Sequence, residues 1–310
     1  MVDSEDVSGQ QFDALFRDLS SWGRWGQDDE RGTLHLLTPA RVAAAARLVR
    51  DGITVTLSLP LDTHAGVHNP KPADHHMTAL GSEAPATNSV HFIKDYVGLD
   101  YHNDGHSHID ALCHVAYDGR MYNGHAERAV TAHGSPVNAI ETLKDGLVGR
   151  GVLLDVPRLR GVPWLEPGEH IVRADLEAAE ITQGVSVQEG DILLVRTGHT
   201  RRLADLGPWN TAKAKAGLHP SAMSFVAERG VAALGSDGNN DTAPSSTEGV
   251  GFPIHVLAIV AMGIHLLDYL QFEGLRATCE SKRRWEFLFV AAPLFVIGGT
   301  GSPVNPIAVF

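Results

Sequence analysis

Cysteine is scarce: Cys113 and Cys279 are the only two in 310 residues. Two thiols make no disulfide framework, so core packing has to hold the fold, and a reducing compartment is expected. Long hydrophobic runs are also missing. No stretch approaches the roughly 18 uninterrupted apolar residues of a membrane-spanning helix, and the opening Met1-Val-Asp-Ser-Glu-Asp6 is acidic with no apolar leader. A cytoplasmic protein without membrane association is expected. Basic charge is in deficit, with Lys+Arg 25 against Asp+Glu 37 and a formal net charge of -12. No basic run breaks that balance, so a nucleic-acid partner is not expected. The phosphate-binding and dinucleotide glycine fingerprints, the G-x-S-x-G elbow and the H-E-x-x-H helix are missing too, which removes the usual signatures of nucleotide, serine-hydrolase and zincin chemistry.

Histidine is abundant, and it is concentrated. His102-Asn-Asp-Gly-His106-Ser-His108-Ile-Asp110-Ala-Leu-Cys-His114 packs four histidines and two carboxylates into thirteen positions. Neutral imidazoles and carboxylates are the ligands of Zn²⁺ or Mn²⁺, so a divalent metal is the expected cofactor. In an extended segment His106, His108 and Asp110 share one face, yet a straight strand spreads the outer pair by about 13 Å, too wide for one tetrahedral ion. A bend, a second ion, or ligation by only two of the three would resolve this. The Asn103-Asp104-Gly105 turn signal could bring His102 back to the same ion, and His108-x-Asp110 is the firmest pair. Asp104 could instead serve only its turn. After Asp110 as an N-cap, Ala111–Val115 reads as helical, which would leave His114 one turn away as a general acid/base.

A second half-site is expected from Phe252 to Asp268. Pro253 opens an apolar helix with His255 in its first turn, Gly263 stops it, and a strand over 264–267 returns a similar distance, setting Asp268 beside His255. The candidate ligands are thus His102, His106, His108, Asp110, His255 and Asp268. His64, His68, His75 and His76 fall in a polar stretch and are expected to be solvated. Trp22, Trp25, Phe92, Tyr122 and Phe252 could line a pocket, although aromatic residues near motifs are more often core.

Elsewhere the chain alternates. A helix over Gln10–Leu19 and a second from Thr38-Pro39 to Arg50 form an N-terminal helical extension over about 1–50. A strand follows at 53–59, then a long loop from Asp62 to Ala86, read as a lid. Short apolar runs at 151–156, 191–197, 231–235, 285–292 and 295–298 read as strands, with helices near 173–180 and 220–229. The pattern is that of one α/β domain over 1–310.

The cluster resembles the metal-dependent cyclase family, which includes bacterial kynurenine formamidases and isatin hydrolases. Its H-x-G-T-H-x-D-x-P-x-H motif has its second half here as Ser107-His108-Ile109-Asp110-Ala111-Leu112-Cys113-His114, while longer members resemble H-G-x-x-H-T-H-x-D-A-L-C-H. The family's first histidine falls on Asp104 and its glycine on His106, which makes His102 and His106 the natural substitutes. Trp25–Pro39, Tyr122-Asn123-Gly124, Val195–Gly198, Ser236-Asp237 and Thr300–Pro306 are similar to further blocks; His255 matches a family metal histidine, and Asp268 stands where a ligand glutamate is usual. The resemblance implies a swivelling β/β/α fold, a homodimer or homotetramer, one or two divalent metals, and hydrolysis of a carbonyl–nitrogen or carbonyl–oxygen bond. The expected function is metal-dependent hydrolysis of an amide, lactam or lactone in a small cyclic or aromatic substrate by cation-held hydroxide, with His114 as general acid/base. The alternatives are a non-haem Fe(II) oxygenase with a 2-His-1-carboxylate set, and a non-catalytic metal-binding protein.

Overall fold

Local signals start the fold. In a computed structural model describing residues 6–83 and 90–310, Ser8 and Gln11 exchange hydrogen bonds as a capping box for helix α1 (Gly9–Leu19). Thr38 caps α2 (Pro39–Ala46), with proline in its first turn. The remaining α-helices are α3 (Val156–Arg160), α4 (Arg173–Gln183), α5 (His199–Leu206), α6 (Ala222–Arg229), α7 (Pro253–His255) and α8 (Glu273–Lys282). The strands are β1 (Thr54–Thr56), β2 (Asp74–Ala79), β3 (Lys94–Gly98), β4 (His108–Asp110), β5 (Leu147–Asp155), β6 (His170–Ile171), β7 (Ile192–Arg196), β8 (Gly217–Leu218), β9 (Ala233–Ser236), β10 (His265–Asp268), β11 (Glu286–Ala291), β12 (Gly301–Pro303) and β13 (Ile307–Val309).

Nine of them form one mixed sheet in the order β1-β13-β11-β5-β7-β9-β10-β4-β12. Parallel pairs β5–β7, β7–β9 and β9–β10 make its centre, and antiparallel pairs make both flanks. Strand β7 is buried along its whole length, as a central parallel strand covered on both faces must be. Leu193 and Val195 face the layer of α1, α4, α6 and the 254–262 segment, while Ile192 and Leu194 face the layer holding α8. The architecture is the α/β fold of the swivelling β/β/α type.

Several local expectations need correction. The stretch from Asp62 on is not loop throughout, because Asp74–Ala79 pairs with Lys94–Gly98 in a two-stranded ribbon and His75 and His76 lie in it. With almost every β2 residue exposed there is no buried face to produce alternation. Residues 84–86 of that expected loop lie outside the described residues. Phe295–Gly298 forms no strand, and Leu294, Phe295, Val296 and Ile297 are exposed. Helix α2 ends at Ala46, four residues early, and the strand expected over 53–59 shrinks to Thr54–Thr56. Among the described residues no helix is long and apolar enough to cross a membrane.

Candidate metal centre

The site begins as a register. Strand β4 lies between β10 and β12, with Asp268 opposite His108 and Gly301 opposite Asp110. Because side chains alternate along a strand, His108, Asp110 and Asp268 share one face while Ile109 and Leu267 go to the core behind it. Asp110 closes the strand with no exposure at all. The helix expected after it does not form; only a turn does, with the His114 N–H donating to Ala111 O at 3.0 Å. That turn still returns His114 toward the carboxylate, Nε2 to Oδ1 3.9 Å.

Two triads share Asp110. His102, His108 and Asp110 bring one ligand atom each within 4.8 Å of one another, and so do Asp110, His255 and Asp268. Asp110 Oδ1 stands 2.9 Å from His102 Nδ1 and 3.7 Å from His108 Nε2. His255 Nε2 stands 3.5 Å from Asp110 Oδ2 and 3.4 Å from Asp268 Oδ2. Ligand atoms about 2.1 Å from a common ion at tetrahedral to octahedral angles lie about 3.0–3.4 Å apart, so these separations suit a shared cation. The donor set agrees. Neither Asp110 oxygen nor His102 Nδ1 makes a well-aligned hydrogen bond, although all three atoms are buried. A buried carboxylate without well-aligned donors is costly unless a cation takes their place.

Outer partners fix each ligand. His108 Nδ1 lies 2.8 Å from the carbonyl of His106, which leaves Nε2 facing Asp110. His102 Nε2 meets Thr300 Oγ1 at 3.1 Å, turning Nδ1 inward. Gly301 makes room for that ring, since a Cβ there would stand 2.8 Å from His102 Cε1. On the other side, the chain runs from α7 through a π-helix over Val256–Met262 to Gly263 at φ 68°, then enters β10. The expected out-and-back path thus puts His255 beside Asp268. Asp241 holds His255 from behind, Oδ2 to Nδ1 2.5 Å, and accepts the Ile254 and His255 N–H groups at 2.7 and 3.2 Å. Asn240 Nδ2 donates to Asp268 Oδ1 at 2.6 Å.

The structure separates His106 from these groups. It is fully buried, both its ring nitrogens are without partners, and it belongs to neither triad; only its carbonyl serves the site, through His108. Asp104 is also outside the triads; it lines the cavity and accepts a hydrogen bond from Thr211. Asp241, Asn240 and Thr300 were not legible as ligand-orienting residues. Asp241 precedes Pro253 by twelve positions, so no capping pattern joins them in sequence.

Charge at the centre is set by burial against contact. Burial opposes ionisation of Asp110, but the imidazoles of His114, His102, His255 and His108 outweigh it and hold the carboxyl well below the usual range. For His255, burial favours the neutral ring, yet Asp268, Asp110 and Asp241 raise its pKa well above the ordinary value. His114 goes the other way: burial takes it down to about 4 against the pull of Asp110. Its ring is stacked on His102, centroids 3.7 Å apart and planes 5° from parallel.

A cavity of about 560 Å³ opens onto the cluster, lined by His102, His108, His114, His255 and Asp268 and by residues including Lys215 and Phe252. Of the five aromatic residues considered for a pocket, Phe252 alone lines it; Tyr122 is buried and donates to Asp29 Oδ2 at 2.9 Å, and Trp22 packs on Phe16.

Comparison with known proteins agrees with this construction. The Cyclase family model, described as "Putative cyclase", matches residues 55–240. A solved structure described as a novel cyclase is 33% identical, aligns 95% of this chain with 99% of its own, and gives a TM-score of 0.87. Isatin hydrolase A from Labrenzia aggregata shares the fold at 18% identity, with 85% of this chain and 94% of that one covered and a TM-score of 0.59. The Ralstonia solanacearum isatin hydrolase A does so at 22% identity, 88% and 97% coverage and a TM-score of 0.57. No curated protein matches in sequence. With most of its length superposing on a one-third-identical cyclase, and the family model spanning well over half of it, the chain belongs to the Cyclase family.

Proposed function

We propose that this chain is a metal-dependent hydrolase that cleaves an amide, lactam or lactone carbonyl bond in a small cyclic or aromatic substrate. One observation carries the reading: the buried Asp110 carboxylate has no well-aligned hydrogen bond on either oxygen, yet stands at ligand spacing from imidazoles on both sides. His102, His108, Asp110, His255 and Asp268 would hold Zn²⁺ or Mn²⁺, in one or two positions. A divalent cation in such a set lowers the pKa of water toward about 7 and polarises a carbonyl oxygen.

The chain's own residues supply the rest. With its pKa held down by burial, His114 is neutral near pH 7 and accepts a proton at Nε2. In hydrolysis a water oxygen bonds to the carbonyl carbon, the carbon–nitrogen or carbon–oxygen bond breaks, and His114 returns the proton to the departing atom. Stacking on His102 fixes the plane in which that transfer takes place. The cavity is of the size that takes a small ring, and Val115, Ala243, Pro244 and Phe252 give it apolar walls. The isatin hydrolases that share the fold support the choice of carbonyl substrates.

The test is elemental analysis of protein purified without added metal, joined to a hydrolysis screen over aryl formamides, isatin-like lactams and lactones in air and without oxygen. Turnover independent of oxygen and abolished by chelation is the expected result. Strict dependence on Fe(II) and O₂ would install the oxygenase instead, and tight metal with no turnover would leave a binding protein. The working unit is proposed to be a dimer or tetramer, in keeping with exposed apolar Phe92, Ile93, Phe295 and Ile297; sedimentation measures it.

A further inference from the structure

Lys215 is a buried lysine that lines the cavity with no ion-pair partner among the described residues. It is 3% exposed, and lysine is almost never this buried unless paired. Yet among the described residues no carboxylate lies within 4.0 Å of its Nζ and no acceptor hydrogen-bonds it. The face of Phe252 lies 5.5 Å from Nζ to ring centroid, a contact worth far less than an ion pair. The acids that share the cavity are engaged elsewhere. Asp104 accepts from Thr211, and Asp268 from Asn240 while facing His255.

The position is built, not incidental. Lys215 and Ala243 exchange backbone hydrogen bonds at 3.0 Å in both directions, pinning Lys215 in the cavity lining. Phe252 then links Lys215 to the cluster. Its ring carries the Lys215 ammonium and lies 5.7 Å from the His255 ring, centroid to centroid. An anion at Lys215 would thus be one aromatic ring away from the ligands, within reach of a small molecule whose carbonyl is at the cluster.

We infer that Lys215 binds a carboxylate of the substrate, so that the substrate class is a small carbonyl compound that also carries a carboxylate, held by that group at Lys215 and presented by its carbonyl to the metal cluster. A single ammonium with no arginine in the cavity lining suits one carboxylate better than a phosphate, which usually recruits a guanidinium or several donors. This rests on the hydrolase reading only for the identity of the second end; the anion site stands by itself.

The experiment is calorimetric binding to the metal-containing protein of benzoate, phenylacetate and 3-phenylpropanoate, each beside its primary amide and beside phenyl phosphate. The expected result is that at least one carboxylate binds about 10–100-fold more tightly than its amide, the worth of a hydrogen bond to a buried charge. Lys215→Met, which keeps the aliphatic stem, removes that preference while amide binding and metal content stay at wild-type levels; Lys215→Arg retains it. Two outcomes overturn the inference: no carboxylate outbinding its amide or phenyl phosphate in the wild type, or a preference that survives in Lys215→Met. Repeated on metal-free wild-type protein, where no cation can take the carboxylate, the comparison decides even if the methionine variant folds poorly. A Lys215-dependent preference without turnover of any amide, lactam or lactone would strike the hydrolase reading alone, whereas turnover of neutral substrates with no carboxylate preference would strike this inference alone.

Discussion

Asp241 is where the geometry makes its sharpest demand. The residue ligates nothing in either triad, but its Oδ2 lies 2.5 Å from His255 Nδ1 and fixes the ring so that Nε2 faces Asp110 and Asp268. Asp241→Asn keeps the size and one acceptor for the Ile254 and His255 N–H groups, and removes the charge that holds the imidazole. Partners of this kind are worth about 10–100-fold in metal affinity, or about 1.4–2.8 kcal/mol. Competition against a chelator of known affinity, with metal content read by elemental analysis, measures the loss directly. Asp241→Ala should lose the same affinity and also about 1 kcal/mol of stability, because the capping acceptor goes too. Wild-type metal affinity in folded Asp241→Asn would show that His255 needs no orienting partner, and the second triad would lose its role in binding.

Other residues give independent tests. His114→Ala should keep its metal, since the ring belongs to neither triad, and lose about 10²–10⁴-fold in rate; loss of metal would make His114 a ligand. His265 is fully buried with both ring nitrogens unpartnered, and burial takes its pKa down to about 4. Between that value and the ordinary 6.5 the unfolded chain binds a proton that the folded chain does not, so stability falls as pH drops through this window, by about 3 kcal/mol at pH 4. His265→Leu should flatten that slope relative to wild type in denaturant titrations at pH 5 and pH 7. Gly263 has φ 68°, and a Cβ there would stand 2.5 Å from the Tyr122 ring. Gly263→Ala should cost about 2–4 kcal/mol through backbone strain and overpacking, seen as a lowered denaturation midpoint.

Much of this protein was legible because its chemistry is local. The ligand types, the His108-x-Asp110 pair and the buried parallel strands are written in consecutive residues, where the period of side chains and the reach of one turn settle which groups share a face. Even the meeting of His255 with Asp268 follows from a helix and a strand of matched length with a glycine between them. The rest depended on long-range pairing. Nothing near His102 in sequence says that Thr300 and Gly301 will orient and admit it, and the twelve positions between Asp241 and Pro253 hide its grip on His255. His106 sits in the densest part of the motif and still joins neither triad, because only His108–Asp110 is held in the strand between β10 and β12. Lys215 belongs to none of the sequence motifs, and only the tertiary structure buries it. Residue chemistry was fixed by the chain itself, whereas the company each side chain keeps was fixed by packing, because contacts between segments tens to hundreds of residues apart have no period to betray them.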